Sequence, residues 1–143
     1  MSNSIPDFYD AKVPLRAFVT KNLIGVDAAD TVKDAASRMS EFNISSITVV
    51  EDEEIVGLLT DTDLKTRVVA RGRSPETPVR EVMTDDLISA DIGTPVHEAL
   101  VLMAKKDIKH LLVEENGNYV GMVTFRDFID MELHSLETYI SRE

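Results

Sequence analysis

The chain contains no cysteine and no tryptophan, and its 143 residues include only five prolines and six glycines. Without cysteine there is no disulfide, no thiolate nucleophile and no Cys-type zinc site, a composition that suits a reducing cytosol. Basic residues are scarce as well: 15 Lys and Arg stand against 26 Asp and Glu, for a net charge of −11. That balance disfavours nucleic acid, whose binding draws most of its free energy from Lys and Arg displacing counterions, and it disfavours an anionic membrane surface. An acidic surface favours solubility, which is the ordinary meaning of such a charge. No apolar run approaches membrane-spanning length, and the stretch from Met1 to Asp10 has neither a basic nor an apolar targeting region. The expectation is a soluble, cytoplasmic protein with no membrane or nucleic-acid partner.

Catalytic signatures are missing too. His97, His110 and His134 have no short metal-ligand spacing, and the acidic run Glu51 to Glu54 lacks the glycine of a calcium loop. No Walker A loop, nucleophile elbow or dinucleotide fingerprint occurs. The sequence predicts no catalytic residue, no metal and no required cofactor.

What is present is a stretch that occurs twice. Ile55-Val56-Gly57-Leu58-Leu59-Thr60-Asp61-Thr62-Asp63 returns as Tyr119-Val120-Gly121-Met122-Val123-Thr124-Phe125-Arg126-Asp127, each matched residue 64 positions on. Extended outward without a gap, the duplication divides the chain into an N-terminal arm (1–12), a first repeat (13–72), a linker (73–76) inside the Gly- and Pro-bearing stretch 71–78, a second repeat (77–136) and a C-terminal helical extension (137–143).

Each repeat carries the same series of elements. Leu23-Ile24 and Leu87-Ile88 read as brief strands that turn at Asp27 and Asp91. Val32, Ala35, Ala36 and Met39 form a helical stripe, matched by Val96, Ala99, Leu100 and Met103. Asp30 is expected to cap the first helix; Thr94 is expected to cap its counterpart, with Pro95 at the first helical position. Ile47 to Val50 and Leu111 to Val113 read as strands, each joined by a hairpin to the duplicated stretch. The second hairpin turns on Asn116-Gly117, whereas the first, with Asp52-Glu53-Glu54, must turn without glycine. A helix follows each Thr-x-x-Asp. The fold class is therefore α/β (α+β), with strand, helix, strand, strand, helix performed twice. Neither copy covers both faces of its sheet, so the two are expected to pack together with approximate two-fold symmetry.

The glycines and the Thr-x-x-Asp corners mark the candidate site. A glycine inside a strand packs nothing, so Gly57 and Gly121 suggest a bulge or the close approach of another group. Thr60 with Asp63, and Thr124 with Asp127, have the spacing of a helix capping box, which accounts for the pattern by itself. The same atoms suit a ligand: a helix N-terminus and a threonine hydroxyl can hold phosphate, and a carboxylate one turn on can accept from two ribose hydroxyls.

The gapless duplication, with Gly-h-h-Thr-x-x-Asp ending the third strand of each copy, resembles a cystathionine-β-synthase (CBS) domain pair, or Bateman module, over residues 13 to 136. The resemblance implies a regulatory module that binds adenosine compounds, such as AMP, ADP, ATP or S-adenosylmethionine, in a cleft between the repeats and signals by conformational change. It implies ribose contacts from Asp63 and Asp127 and phosphate contacts from Thr60 and Thr124. It implies a base pocket from Thr20, Asn22, Leu23, Ile44, Ser46 and Ile47 together with Thr84, Asp86, Leu87, Ile108, His110 and Leu111. Arg126 fits either a phosphate contact or a solvated helix start, and His110 either a ligand or a structural role. Lys65 and Arg67 read as a solvated helix face.

In the last helix, Ile129, Leu133, Leu136 and Ile140 share a stripe flanked by Phe128 and Tyr139. Ile129 and Leu133 are expected to cover the protein's own sheet, and Tyr139 and Ile140 to meet a second subunit. The resemblance points to a homodimer, to an unidentified effector protein, and to no enzymatic activity. The rival from another class is a purely structural dimerisation module, followed by an enzyme.

Overall fold

Parallel pairing of a short strand with the one after the next helix, then an antiparallel hairpin, builds each of two separate three-stranded sheets. The computed structural model describes residues 13–21 and 23–141, and their side chains except at 131, 134–136, 138, 139 and 141. The elements are β1 (Gly25–Asp27), α1 (Val32–Phe42), β2 (Ser46–Glu51), β3 (Glu54–Thr60), α2 (Asp61–Asp63), β4 (Ser89–Asp91), α3 (Val96–Lys106), β5 (His110–Glu115), β6 (Asn118–Thr124) and α4 (Phe125–Ser141). The sheet orders are β1-β2-β3 and β4-β5-β6. The tandem α/β organisation expected from the repeat is what the chain adopts, although β1 and β4 begin two residues later than the apolar pairs suggested.

The compact units are offset from the sequence repeats. One unit comprises residues 23–87; the other joins 13–21 to 88–141. The opening segment of each repeat thus belongs to the unit built around the other repeat's hairpin. In one, Leu15 and Arg16 donate to the Thr94 and Ile92 carbonyls, Phe18 sets its ring edge-on to Phe128 at 5.9 Å, and Arg16 pairs with Glu115. In the other, Val79 and Arg80 donate to the Asp30 and Ala28 carbonyls, and Arg80 pairs with Glu51.

Three residues of each helical stripe are buried, while Ala36 and Leu100 are half-buried. Val32, Ala35 and Met39 enter the core of the 23–87 unit with Ile47, Val49 and Leu59; Val96, Ala99 and Met103 do so in the other with Leu111, Val113 and Val123. The caps differ from expectation. Thr31, not Asp30, caps α1: its hydroxyl accepts from Asp34 N–H, and Asp34 accepts from Thr31 N–H. Asp30 instead accepts from Asp27 N–H inside the preceding turn. Pro95, not Thr94, occupies the cap of α3, because its ψ of 143° is extended and its carbonyl already accepts from Glu98 and Ala99.

Both hairpins close with two residues at positive φ, the type I′ pattern. Asn116 and Gly117 (54° and 82°) suit it; Asp52 and Glu53 (52° and 67°) adopt it without glycine. On α4 the buried aromatic is Phe128, which is 1% exposed, while Ile129 and Leu133 are 42% and 52% exposed. Helical geometry cannot turn 128 and 129 to one face, so the expectation that Ile129 and Leu133 cover the sheet is corrected. Ile140 is 62% exposed; Leu136 and Tyr139 lie outside the described side chains.

Candidate functional site

At each corner a strand passes into a helix with no intervening loop. Thr60 keeps an extended backbone, and its hydroxyl accepts from Asp63 N–H at 3.1 Å while Asp63 Oδ2 accepts from Thr60 N–H at 3.0 Å. Thr124 and Asp127 repeat the exchange at 3.1 and 2.8 Å. The first helical N–H of each corner reaches the loop before the central strand: Asp61 donates to the Ser45 carbonyl, and Phe125 to that of Lys109. Ser46 and His110 are the cross-strand partners of Thr60 and Thr124.

The glycines serve both suggested purposes. Val49 faces Gly57 but Val50 faces Ile55, so Val56 is an extra, bulged residue; Val120 is its equivalent beside Gly121. The opening segments also cross directly over these glycines. A Cβ at Gly57 would lie 2.5 Å from Met83 Sδ and 3.1 Å from the Thr84 carbonyl oxygen; one at Gly121 would meet the Val19 side chain and lie 2.6 Å from the Thr20 carbonyl oxygen. Thr84 accordingly exchanges backbone hydrogen bonds with Leu58, and Thr20 with Met122.

Those pairings sort the candidate residues by compact unit. Thr84, Ile44, Ser46 and Ile47 belong with Thr60 and Asp63; Thr20, Ile108, His110 and Leu111 belong with Thr124 and Asp127. The Ile47 and Leu111 side chains are fully committed to the two cores, while Ile44 and Ile108 are half-buried at their margins. Leu23 and Leu87 are half-buried, Thr20 and Asp86 are exposed, and Asn22 lies outside the described residues.

The corners are not identical. Asp63 is only 6% exposed and accepts further from the Thr84 hydroxyl, at 3.2 Å to each oxygen, with Arg67 Nε 3.5 Å from Oδ1. Arg67 is exposed, as expected of that helix face, and also donates to the Val82 and Met83 carbonyls, so it anchors the opening segment as well. Lys65 is exposed, as expected. Asp61, the first helical residue, accepts from Thr62 N–H at 2.8 Å. Beyond Asp63 the chain continues as a π-helix (Leu64–Val69), a widened form that often accompanies function, whereas α4 is α-helical throughout its 17 residues. Asp127 is half-buried, and Arg126 pairs with Asp130 at 3.2 Å with its side chain 80% exposed.

Local reasoning did not pair Thr84 or Arg67 with Asp63. Aligning the repeats at an offset of 64 marks where they diverge, since Asp61 and Arg67 correspond in sequence to Phe125 and Met131. A groove of about 740 Å³ between α1 and the π-helix is lined by Val32, Ala36, Leu64, Val68, Val69 and Pro75 among others, and by none of the corner residues. Among the described residues no cluster of His, Asp and Glu could hold a metal, and no helix is long and apolar enough to cross a membrane.

Comparison with known proteins agrees with this architecture. The CBS domain family profile matches residues 15–70 and again 79–134. The CBS domain-containing protein YhcV of Bacillus subtilis is 37% identical over 109 residues, covering 76% of this chain and 78% of its own. An uncharacterized conserved protein from Pyrococcus horikoshii has a crystal structure that superposes with a TM-score of 0.82 at 38% identity, covering 85% of this chain and 93% of its own. The CBS domain pair of protein MJ0100, solved in complex with 5′-methylthioadenosine and S-adenosyl-L-methionine, superposes at 0.74 with 22% identity, covering 83% of this chain and 94% of its own. Two profile matches over two sheets of the same topology establish that the chain belongs to the CBS domain family, as a tandem pair of its repeats.

Proposed function

We propose that this chain is a regulatory module, without enzymatic activity of its own, that binds an adenosine-containing ligand at its Thr-x-x-Asp corners and signals by a conformational change. The observation that carries the reading is that each of two CBS repeats ends its hairpin in a threonine cap with a carboxylate three residues on, at the N-terminus of a helix. A ribose diol suits Asp63 or Asp127, phosphate suits the helix N-termini with Thr60 and Thr124, and the strands and loops around Ile44, Ser46, Ile108 and His110 suit the base. The MJ0100 pair, a CBS pair of the same fold, holds two adenosine compounds, which supports the ligand class. A ligand can signal only if it prefers one conformation of the protein, so the change is to be read by a partner such as an effector protein. The cytoplasm is the fitting compartment for a cysteine-free sensor of this kind.

The same reading includes a homodimer. Phe125, Ile129, Leu133 and Ile140 leave an apolar face of α4 open, a feature that marks protein interfaces. A second reading, a dimerisation module whose corners only cap helices, is favoured by the completed capping boxes, since neither needs a ligand to be satisfied. Calorimetric titration with AMP, ADP, ATP, NAD and S-adenosylmethionine separates the two. Saturable heat from at least one ligand is expected; no heat from any of them contradicts ligand sensing and leaves the dimerisation module.

A further inference from the structure

We propose that the two corners are inequivalent toward phosphorylated adenosine: the Asp127 corner accepts it, and the Asp63 corner is closed to it by Asp61, Thr84 and Arg67. This inference rests on the reading above and concerns which corner does the binding. A ribose diol donates two hydrogen bonds and therefore needs acceptor capacity on the carboxylate, which has roughly four lone-pair sites. Asp63 has less to give than Asp127. Its Oδ2 accepts from Thr60 N–H, the one Thr84 hydroxyl proton is shared between its two oxygens at 3.2 Å each, Arg67 Nε stands 3.5 Å from Oδ1, and the residue is nearly buried. At Asp127, Oδ2 accepts from Thr124 N–H, and no side chain among the described residues reaches Oδ1.

The phosphate side of each corner differs in the same sense. A phosphate at a helix N-terminus needs free N–H groups and no competing anion. The Asp61 carboxylate already accepts from Thr62 N–H at 2.8 Å, which fills that donor and places a negative charge beside it. In the second copy the equivalent residue is Phe125, so the position before Arg126 N–H carries no carboxylate, and the Arg126 guanidinium, paired with Asp130 at 3.2 Å, brings a cation to the same turn. The helix behind it runs 17 residues, against three α-helical residues before the π-helix at the other corner. Two differences at the repeat offset, Asp61 against Phe125 and Arg67 against Met131, account for the divergence. Thr20 occupies the position of Thr84 in the second copy, so the threonine alone does not close a corner.

The test is calorimetry with AMP on the full chain. Wild type is expected to bind one AMP per chain, and Asp127→Asn is expected to weaken it about tenfold or more, the loss of a charged acceptor. Asp61→Phe combined with Arg67→Met, which gives the first corner the second corner's residues, is expected to add a second AMP per chain. If that pair does not fold, Asp61→Phe alone at its exposed position is expected to add a weaker second site. Two equal AMP sites in wild type, or unchanged affinity in an Asp127→Asn protein with a normal melting curve, would overturn the inference and leave ligand sensing intact. So would binding of S-adenosylmethionine without AMP. Silence toward the whole ligand panel removes the parent reading, and this inference with it.

Discussion

The Thr84 hydroxyl shares its one proton between the two oxygens of Asp63, at 3.2 Å from each, tying the opening segment of the second repeat to the corner of the first. Removing a hydroxyl from a buried carboxylate leaves that carboxylate undersatisfied, which costs about 1–2 kcal/mol. Thr84→Val is expected to lower unfolding stability by that amount in urea melts. Thr20→Val, at the equivalent exposed position, is expected to change it by less than about 0.5 kcal/mol.

The crossing of the opening segments over Gly57 and Gly121 makes a graded prediction. At Gly57 the nearest atom to an added Cβ is the flexible Met83 sulfur, which can move; at Gly121 a backbone oxygen stands at 2.6 Å. Overpacking typically costs about 1–3 kcal/mol. Gly121→Ala is expected near the upper end of that range and Gly57→Ala near the lower, with denaturant midpoints as the measurement. Equal losses would contradict the asymmetry.

The glycine-free hairpin is a site for stabilisation. Glu53 holds a φ of 67°, a conformation that costs a non-glycine residue about 1 kcal/mol or more. Glu53→Gly is expected to raise the melting temperature, and Gly117→Ala, at a φ of 82° in the other hairpin, to lower it. Scanning calorimetry of the two variants checks both signs.

The open face of α4 predicts an oligomer. Ile129→Glu with Leu133→Glu removes apolar surface that touches little in the chain itself, so the fold is expected to persist by circular dichroism. Light scattering is expected to show the mass falling from dimer to monomer. An unchanged dimer would place the interface elsewhere.

The repeat, its element order and both corners were legible because they are local: periods of two and 3.6 residues, a glycine in a strand, and a Thr-x-x-Asp spacing are all written within a few residues. The helix caps moved by one residue: to Thr31, where it and Asp30 compete for the same backbone donors, and to Pro95, whose extended ψ of 143° leaves it outside the helix. The contacts of Arg67 and Thr84 with distant backbone and with Asp63 went unread for a different reason. Their partners lie 16 and 21 residues away, and no period reports which strand an opening segment will cross. Phe128 against Ile129 was a matter of helix rotation, which a stripe fixes only to within a residue.

The most direct test of the account is calorimetric titration of AMP and S-adenosylmethionine into wild type and into the double variant Asp63→Asn/Asp127→Asn. Both side chains keep the shape needed to accept from their threonine N–H, so the caps survive while the carboxylate charge is lost. The account predicts saturable heat in wild type that falls by about tenfold or more in affinity in the double variant. Undiminished binding in a folded double variant would contradict the assignment of these corners as the adenosine sites.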